Sequence, residues 1–148
     1  MADASNESGS GQQPSEAEDY LSDRQLAYFR QRLLDWREEL MAESRATINA
    51  MRSAEREVGD EADHSSQLEI QTLELRTRDR YRKLIGKIDA ALARIRDGSY
   101  GYCELTGEPI GLGRLEARPI ANLSVFAQEK KEQRERRERY EKVNLSLS

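Results

Sequence analysis

The chain has 148 residues, of which 36% are hydrophobic and 35% charged, with 24 Lys and Arg against 28 Asp and Glu. With a mean hydropathy of -0.90, it cannot wrap itself around a large globular core, and an elongated helical shape is favoured. One Cys and one His exclude an internal disulfide and leave too few soft ligands for a structural zinc site.

Residues 1–20 hold five acids, Asp3, Glu7, Glu16, Glu18 and Asp19, and no Lys or Arg. They are rich in Ser, Gly and Gln, so they are expected to form a disordered acidic tail. The other 128 residues carry 24 basic and 23 acidic groups, a balance that argues against a duplex-DNA binder driven by net positive charge. No basic segment followed by an apolar run opens the chain, and no stretch approaches the ~18 apolar residues of a membrane span. A cytoplasmic protein is expected.

Order is predicted to begin at Leu21, where Ser22 and Gln25 have the spacing of a capping box. From Leu26, the apolar positions Phe29, Leu33, Trp36 and Leu40 recur at steps of three and four, and Thr47, Ala50 and Ala54 continue that register weakly. Gly59 breaks this helix and Asp63 is placed to cap the next, so the tip of a hairpin is expected at 57–66. Apolar spacing resumes at Ile70, Leu73 and Thr77, then Leu84, Ile88, Ala91 and Ile95, stopping before Asp97-Gly98-Ser99. Two seams of matching length separated by a helix breaker predict an antiparallel coiled-coil hairpin over 21–97. A structural or adaptor coiled-coil protein that dimerises through the same seam is the competing reading.

Residues 98–127 read as a small turn-rich module. Residues 128–148 read as a charged C-terminal helix, with Glu at 129, 132, 135, 138 and 141 and seven Lys or Arg between Gln128 and Lys142, expected to be held by charge pairs.

Three features could carry function. The tip gathers Glu57, Asp60, Glu61 and Asp63 without a base, which suits a hard cation or basic groups on a partner, although capping alone accounts for Asp there. The Asp-x-Asp-x-Asp-Gly order of a calcium loop is missing, and His64 beside it reads as a surface residue. The run Arg76, Arg78, Arg80, Arg82, Lys83 and Lys87, with Asp79 as its sole acid, could grip phosphate or an acidic surface, or simply be the solvated face of the hairpin. No nucleophile–base pair or metal set exists, so an enzyme is not expected.

The third feature is a set of strings: Glu74-Leu75-Arg76-Thr77-Arg78-Asp79-Arg80, then Gly101-Tyr102-Cys103-Glu104, Ile110-Gly111 and Arg114-Leu115-Glu116-Ala117-Arg118-Pro119. Across residues 21–142 the chain resembles the DksA/TraR family of transcription regulators. The resemblance implies a mostly α fold: a coiled-coil hairpin, a zinc-finger-like globular module and a C-terminal helix. It implies a monomer that binds bacterial RNA polymerase through its secondary channel without contacting DNA. Together with ppGpp, such a protein alters open-complex stability at ribosomal RNA and amino-acid promoters.

The family's tip motif, Asp-x-x-Asp-x-Ala, falls on Asp60, Asp63 and Ser65, with Ser in place of Ala. Lys87 and Arg118 match residues that contact ppGpp, whereas a third basic contact aligns with Gln128, near Lys130 and Lys131. The two Cys-x-x-Cys pairs of the zinc module fall on Cys103, Thr106, Ser124 and Ala127, so three of four thiolates are gone and zinc is expected to be absent. Packing of Leu105, Ile110, Leu112, Leu115, Val125 and Phe126 is expected to stabilise the module instead, with Cys103 as a small buried hydrophobe.

Overall fold

A computed structural model describes residues 19–59 and 63–148. Its helices are α1 (Asp23–Val58), α2 (His64–Asp97), α3 (Leu112–Ala117) and α4 (Val125–Ser146). Among the described residues the only strand-like feature is an isolated antiparallel bridge between Tyr102 and Pro109. The expected acidic segment 1–18 and Asp60 lie outside the described residues.

α1 starts at the expected capping box: Gln25 N donates to Ser22 Oγ at 3.3 Å and Ser22 N donates to Gln25 Oε1 at 3.2 Å. It ends at Gly59, and α2 is capped by Asp63, whose carboxylate accepts from Ser66 N at 2.7 Å. At 1.5 Å of rise per residue, the paired helices form a rod about 50 Å long.

The seam closes within the chain, because Phe29, Leu33, Leu40 and Ile48 of α1 and Tyr81, Ile88 and Ala91 of α2 are all buried. Burying each large side chain stabilises the pair by ~1.5–3 kcal/mol relative to exposure. The seam is therefore filled within the chain, as a hairpin requires.

Two expectations for the seam fail. Ala50 and Ala54 are exposed, and the α1 side of the seam runs instead through Ser44, Ile48 and Met51. Two successive steps of four after Leu40 bring these residues inward, where Ile and Met cover more apolar surface than Ala. On α2, Leu73 is 57% exposed and Glu74 takes its place, with Arg52 and Arg78 at 3.5 and 2.8 Å from its Oε1. An unbroken three–four alternation from Ile70 through Glu74, Thr77, Tyr81 and Leu84 accounts for this, with the charge on Glu74 answered by Arg rather than by burial.

The module sits at the open end of the hairpin. Tyr100, Cys103, Ile110, Leu115, Ile120, Ala121, Leu123 and Ala127 join the hairpin's Phe29, Leu33, Ile88 and Ala91 in one core. Tyr20, assigned from sequence to the acidic tail, is a structural residue. Its hydroxyl donates to Gly101 O at 2.6 Å and accepts from Gly111 N at 3.0 Å, and its ring meets Tyr102 edge-on at 5.7 Å. Leu21 follows with φ 52°, the left-handed region that costs a non-Gly residue ~1–2 kcal/mol. Its side chain occupies the space that a Cβ on Gly101 would need, and Gly101 itself has φ +87°.

Gly101→Ala should therefore lose far more stability than Gly107→Ala. Both positions have positive φ, but only Gly101 faces a steric conflict. Urea melts followed by circular dichroism should show Gly107→Ala losing about 1 kcal/mol and Gly101→Ala a further ~1–3 kcal/mol; equal losses would mean Leu21 is not locked against the module.

Candidate functional site

At the far end of the rod, Asp63 is exposed and extended, with φ -69° and ψ 166°. The Ser66 backbone N–H, then the Ser66 side chain, hold its carboxyl below the usual range. A depressed carboxylate contributes stability above its unfolded pKa and loses it as pH falls through the folded one, so the cap is charged at neutral pH. Ser65 is exposed on the first turn of α2. Asp63 thus has two possible uses, closing the helix and presenting a charge, and the same side chain can do both.

The basic run on α2 resolves into local pairs. Arg78 bridges to Glu74 at 2.8 Å, Arg82 and Lys83 bridge to Asp79 at 2.6 and 2.8 Å, and Arg80 lies 5.3 Å from the centre of the Tyr81 ring. Three of the six cations of that run are thus paired with carboxylates of the hairpin's own face.

Lys87, the last of the run, faces the module instead. It lines a cleft of about 260 Å³ together with Arg94, Arg114, Arg118, Gln128 and Lys131. α3 supplies Arg114 and the chain just past it Arg118, α2 supplies Lys87 and Arg94, and α4 supplies Gln128 and Lys131. Arg114 Nε donates to Leu123 O at 3.0 Å and Arg94 reaches Glu104 at 3.7 Å. Among the described residues no carboxylate lies within 4.0 Å of the Lys87, Arg118 or Lys131 nitrogens. The two residues singled out by resemblance, Lys87 and Arg118, are thus brought to one concave, cationic surface suited to an anion. Lys131 joins them on the cleft. Lys130 does not, its ammonium lying 4.5 Å from the centre of the Phe126 ring.

The four positions that align with zinc ligands have other occupations. Ser124 is the N-cap of α4 and its hydroxyl accepts from Ala127 N at 3.2 Å. The Thr106 hydroxyl accepts from Glu108 N at 3.3 Å, and Ala127 is a buried methyl 3% exposed. Among the described residues no group of three or more His, Cys, Asp or Glu could hold a metal ion. One thiol, two engaged hydroxyls and a methyl do not fit a four-thiolate zinc centre.

Cys103 is buried, and burial by itself would push its thiol up. The Thr106 hydroxyl and the backbone N–H groups of Ser124, Thr106 and Leu105 outweigh that and bring it down to about 6. Cys103 thus sits in the core as the small buried residue expected from the sequence, and the donors around its sulfur favour the thiolate form.

The predicted metal-free core does need a correction. Ile110 and Leu115 are buried as expected, but Leu105, Val125 and Phe126 are 66%, 52% and 61% exposed. Tyr100 fills the centre instead, its hydroxyl donating to Pro119 O at 2.8 Å, and Ile120, Ala121 and Leu123 close around it. Along α4, the expected charge pairs are also missing: among the described residues no ion pair forms there, and Gln128 donates to Glu132 at 2.9 Å. Among the described residues no helix is long and apolar enough to cross a membrane.

Known proteins match this arrangement closely. Residues 25–95 match the family model described as DnaK suppressor protein DksA, N-terminal domain, and residues 98–133 match that of the prokaryotic dksA/traR C4-type zinc finger. The RNA polymerase-binding transcription factor DksA of Caulobacter vibrioides is 58% identical over 120 residues, covering 81% of this chain and 84% of that protein. Its counterpart in Escherichia coli K12 is 44% identical over 108 residues, covering 73% and 72%. The structure of transcription factor DksA2 from Pseudomonas aeruginosa superposes with a TM-score of 0.72 at 45% identity, covering 84% of this chain and 94% of that one.

Two measurements test the module. A chelator should leave the melting curve unchanged, and Phe126→Ser should shift stability by less than ~0.5 kcal/mol, whereas Leu115→Ala should lose ~2–5 kcal/mol; a melting temperature that falls with chelator would restore a metal. The second concerns pH. A folded Cys103 near 6 against ~8.5 unfolded contributes stability that is full above the unfolded value and lost as pH falls toward 6. Urea melts between about pH 9 and 6 should show the intact chain weakening relative to Cys103→Ser as pH drops; parallel curves would place the thiol at its ordinary value.

Proposed function

The chain belongs to the DksA/TraR family, and from that premise we propose that it is a bacterial transcription regulator that binds RNA polymerase. In this reading the rod enters the secondary channel of the polymerase and presents Asp60, Asp63 and Ser65 near the active site, while the module stays outside. No DNA contact is needed, and the protein works as a cytoplasmic monomer. A tip that contacts two polymerase conformations unequally shifts the balance between them, and so changes the lifetime of open complexes, most visibly at ribosomal RNA and amino-acid promoters.

The observation that carries the reading is the separation of two charged sites by a long helical rod: an exposed Asp63 at one end and the cationic cleft of Lys87, Arg118 and Lys131 at the other. The cleft is the proposed seat of ppGpp, whose pyrophosphates suit clustered ammonium and guanidinium groups. Gln128 cannot supply the positive charge of its family counterpart. Lys131, three residues further along α4 and lining the same cleft, supplies it here, and Lys130 does not.

Asp63→Asn separates the two uses of the tip carboxylate, because Asn caps a helix about as well as Asp. In transcription from a ribosomal RNA promoter, this variant should bind polymerase yet lose most inhibition, with an unchanged melting curve; full inhibition would refute the tip mechanism. Asp63→Ala should in addition lose ~0.5–2 kcal/mol of stability through the cap. Lys131→Ala should weaken the ppGpp effect with little change in its absence, whereas Lys130→Ala should leave both intact; the reverse ranking would reject the assignment of Lys131.

A further inference from the structure

We propose that the groove between the Cys103–Gly107 turn and the first three turns of α4 docks an acidic segment of a partner protein that carries a large apolar side chain. The groove encloses about 490 Å³ and has Leu105, Phe126 and Ala127 on its apolar side. Its rim is formed by Lys130, Lys131, Arg134 and Arg137. The proposal does not rest on the polymerase reading, although Lys131 lines both this groove and the cationic cleft.

The floor is preformed. Cys103 N donates to Glu108 O and Gly107 N to Cys103 O, each at 2.8 Å, which fixes the turn that displays Leu105. Leu105 and Phe126 are 66% and 61% exposed, although neighbouring Cys103 and Ala127 are buried. Two large apolar side chains flanking a concavity are an arrangement that a partner's side chain can cover, unlike singly scattered surface residues.

The rim selects the charge of that partner. Lys130, Arg134 and Arg137 follow Phe126 at four, eight and eleven residues, so they share one face of α4. Glu129, Glu132 and Glu135 do not line the groove. Among the described residues none of the four rim cations has a carboxylate within 4.0 Å. α2 behaves differently, since Asp79 there pairs with both Arg82 and Lys83. The rim charges are left for an external anion, and complementarity to them favours Asp and Glu around an apolar anchor.

A nucleic acid fits less well. Lys130 already lies 4.5 Å from the centre of the Phe126 ring and Leu105 offers no face for base stacking, and both the carboxylates one turn away on α4 and the chain's net charge of -4 oppose a long polyanion.

The test uses the full chain and a fluorescein-labelled peptide in which Glu and Asp flank a Leu-Phe pair, read by anisotropy. Saturable binding is expected, weakened ~10-fold or more by Leu105→Ser with Phe126→Ser and by Arg134→Glu with Arg137→Glu, with unchanged melting curves. The same peptide with Ser-Ser at its centre should bind at least ~10-fold more weakly. Several outcomes overturn the proposal. These are no saturable binding at millimolar peptide, equal binding of the Ser-Ser peptide, and no effect of the groove variants. Tighter binding of an oligothymidine would assign the groove to nucleic acid, and tighter binding of phosphatidylglycerol vesicles would assign it to a membrane. Binding seen only after residues 1–18 are removed would assign it to the chain's own acidic segment.

Discussion

Glu116 ties the module to the hairpin, and the geometry of the cationic cleft depends on that tie. Its Oε1 accepts from the Tyr28 hydroxyl at 2.8 Å and faces Arg32 at 2.9 Å, while its backbone carbonyl takes a second contact from Arg32 at 2.6 Å. One arginine of α1 therefore holds both the side chain and the main chain of α3. Glu116 Oε2 is buried without a hydrogen-bond partner, a costly state for a carboxylate that the adjacent guanidinium makes tolerable. With α3 held in this way, Arg114 and Arg118 on either side of Glu116 meet Lys87 and Arg94 of α2. The cationic cleft is a consequence of a neutralised anion next to it.

The same tie explains how the module keeps its shape with one thiol in place of four. Tyr100 stands over Phe29 with ring centroids 5.8 Å apart, and Phe29 over Tyr28 at 5.2 Å. The hairpin base and the module therefore share one core rather than meeting as two finished surfaces. Burial pushes the Tyr100 phenol well above its ordinary range, so it stays a neutral donor to Pro119 O. Two former ligand positions have become local backbone supports, Ser124 for α4 and Thr106 for the turn before Gly107. Hydroxyls that are poor zinc ligands are good caps, so Ser124 and Thr106 suit these local backbone roles better than a four-thiolate centre.

Much of the hairpin was legible because its signals are local. Ser22 with Gln25, Gly59 and Asp63 each act within one helical turn, and each does what its residue type implies. The seam was read correctly where apolar residues and register agreed, at Phe29, Leu33, Leu40 and Ile88. Sequence and structure diverge where apolar character and register conflict: Leu73 is the apolar residue but Glu74 holds the seam position, because its ion pair with Arg52 lies across the seam and leaves no signal within α2. Tyr20 was hidden for a similar reason, since its partners Gly101 and Gly111 are some eighty to ninety positions away. In the module, Leu105, Val125 and Phe126 were given a core that Tyr100 fills. Of the candidate site residues, Lys87 and Arg118 were named from family strings, but their convergence with Lys131 is a tertiary fact.

The character of the seam changes along the rod. Near the module it is apolar, with Phe29, Leu33, Ile88 and Ala91 fully buried. Beyond Leu40 it turns polar: the Tyr81 hydroxyl donates to Glu43 Oε1 at 2.9 Å and lies 3.4 Å from Thr47 Oγ1, and Glu74 meets Arg52 further out. Charged and hydroxyl pairs hold register by geometry yet contribute less net stability than apolar burial. Local opening is therefore easier toward the tip than at the base. A rod anchored firmly at the module and compliant near Asp63 can hold its cleft unchanged while its far end adapts to the surface it meets.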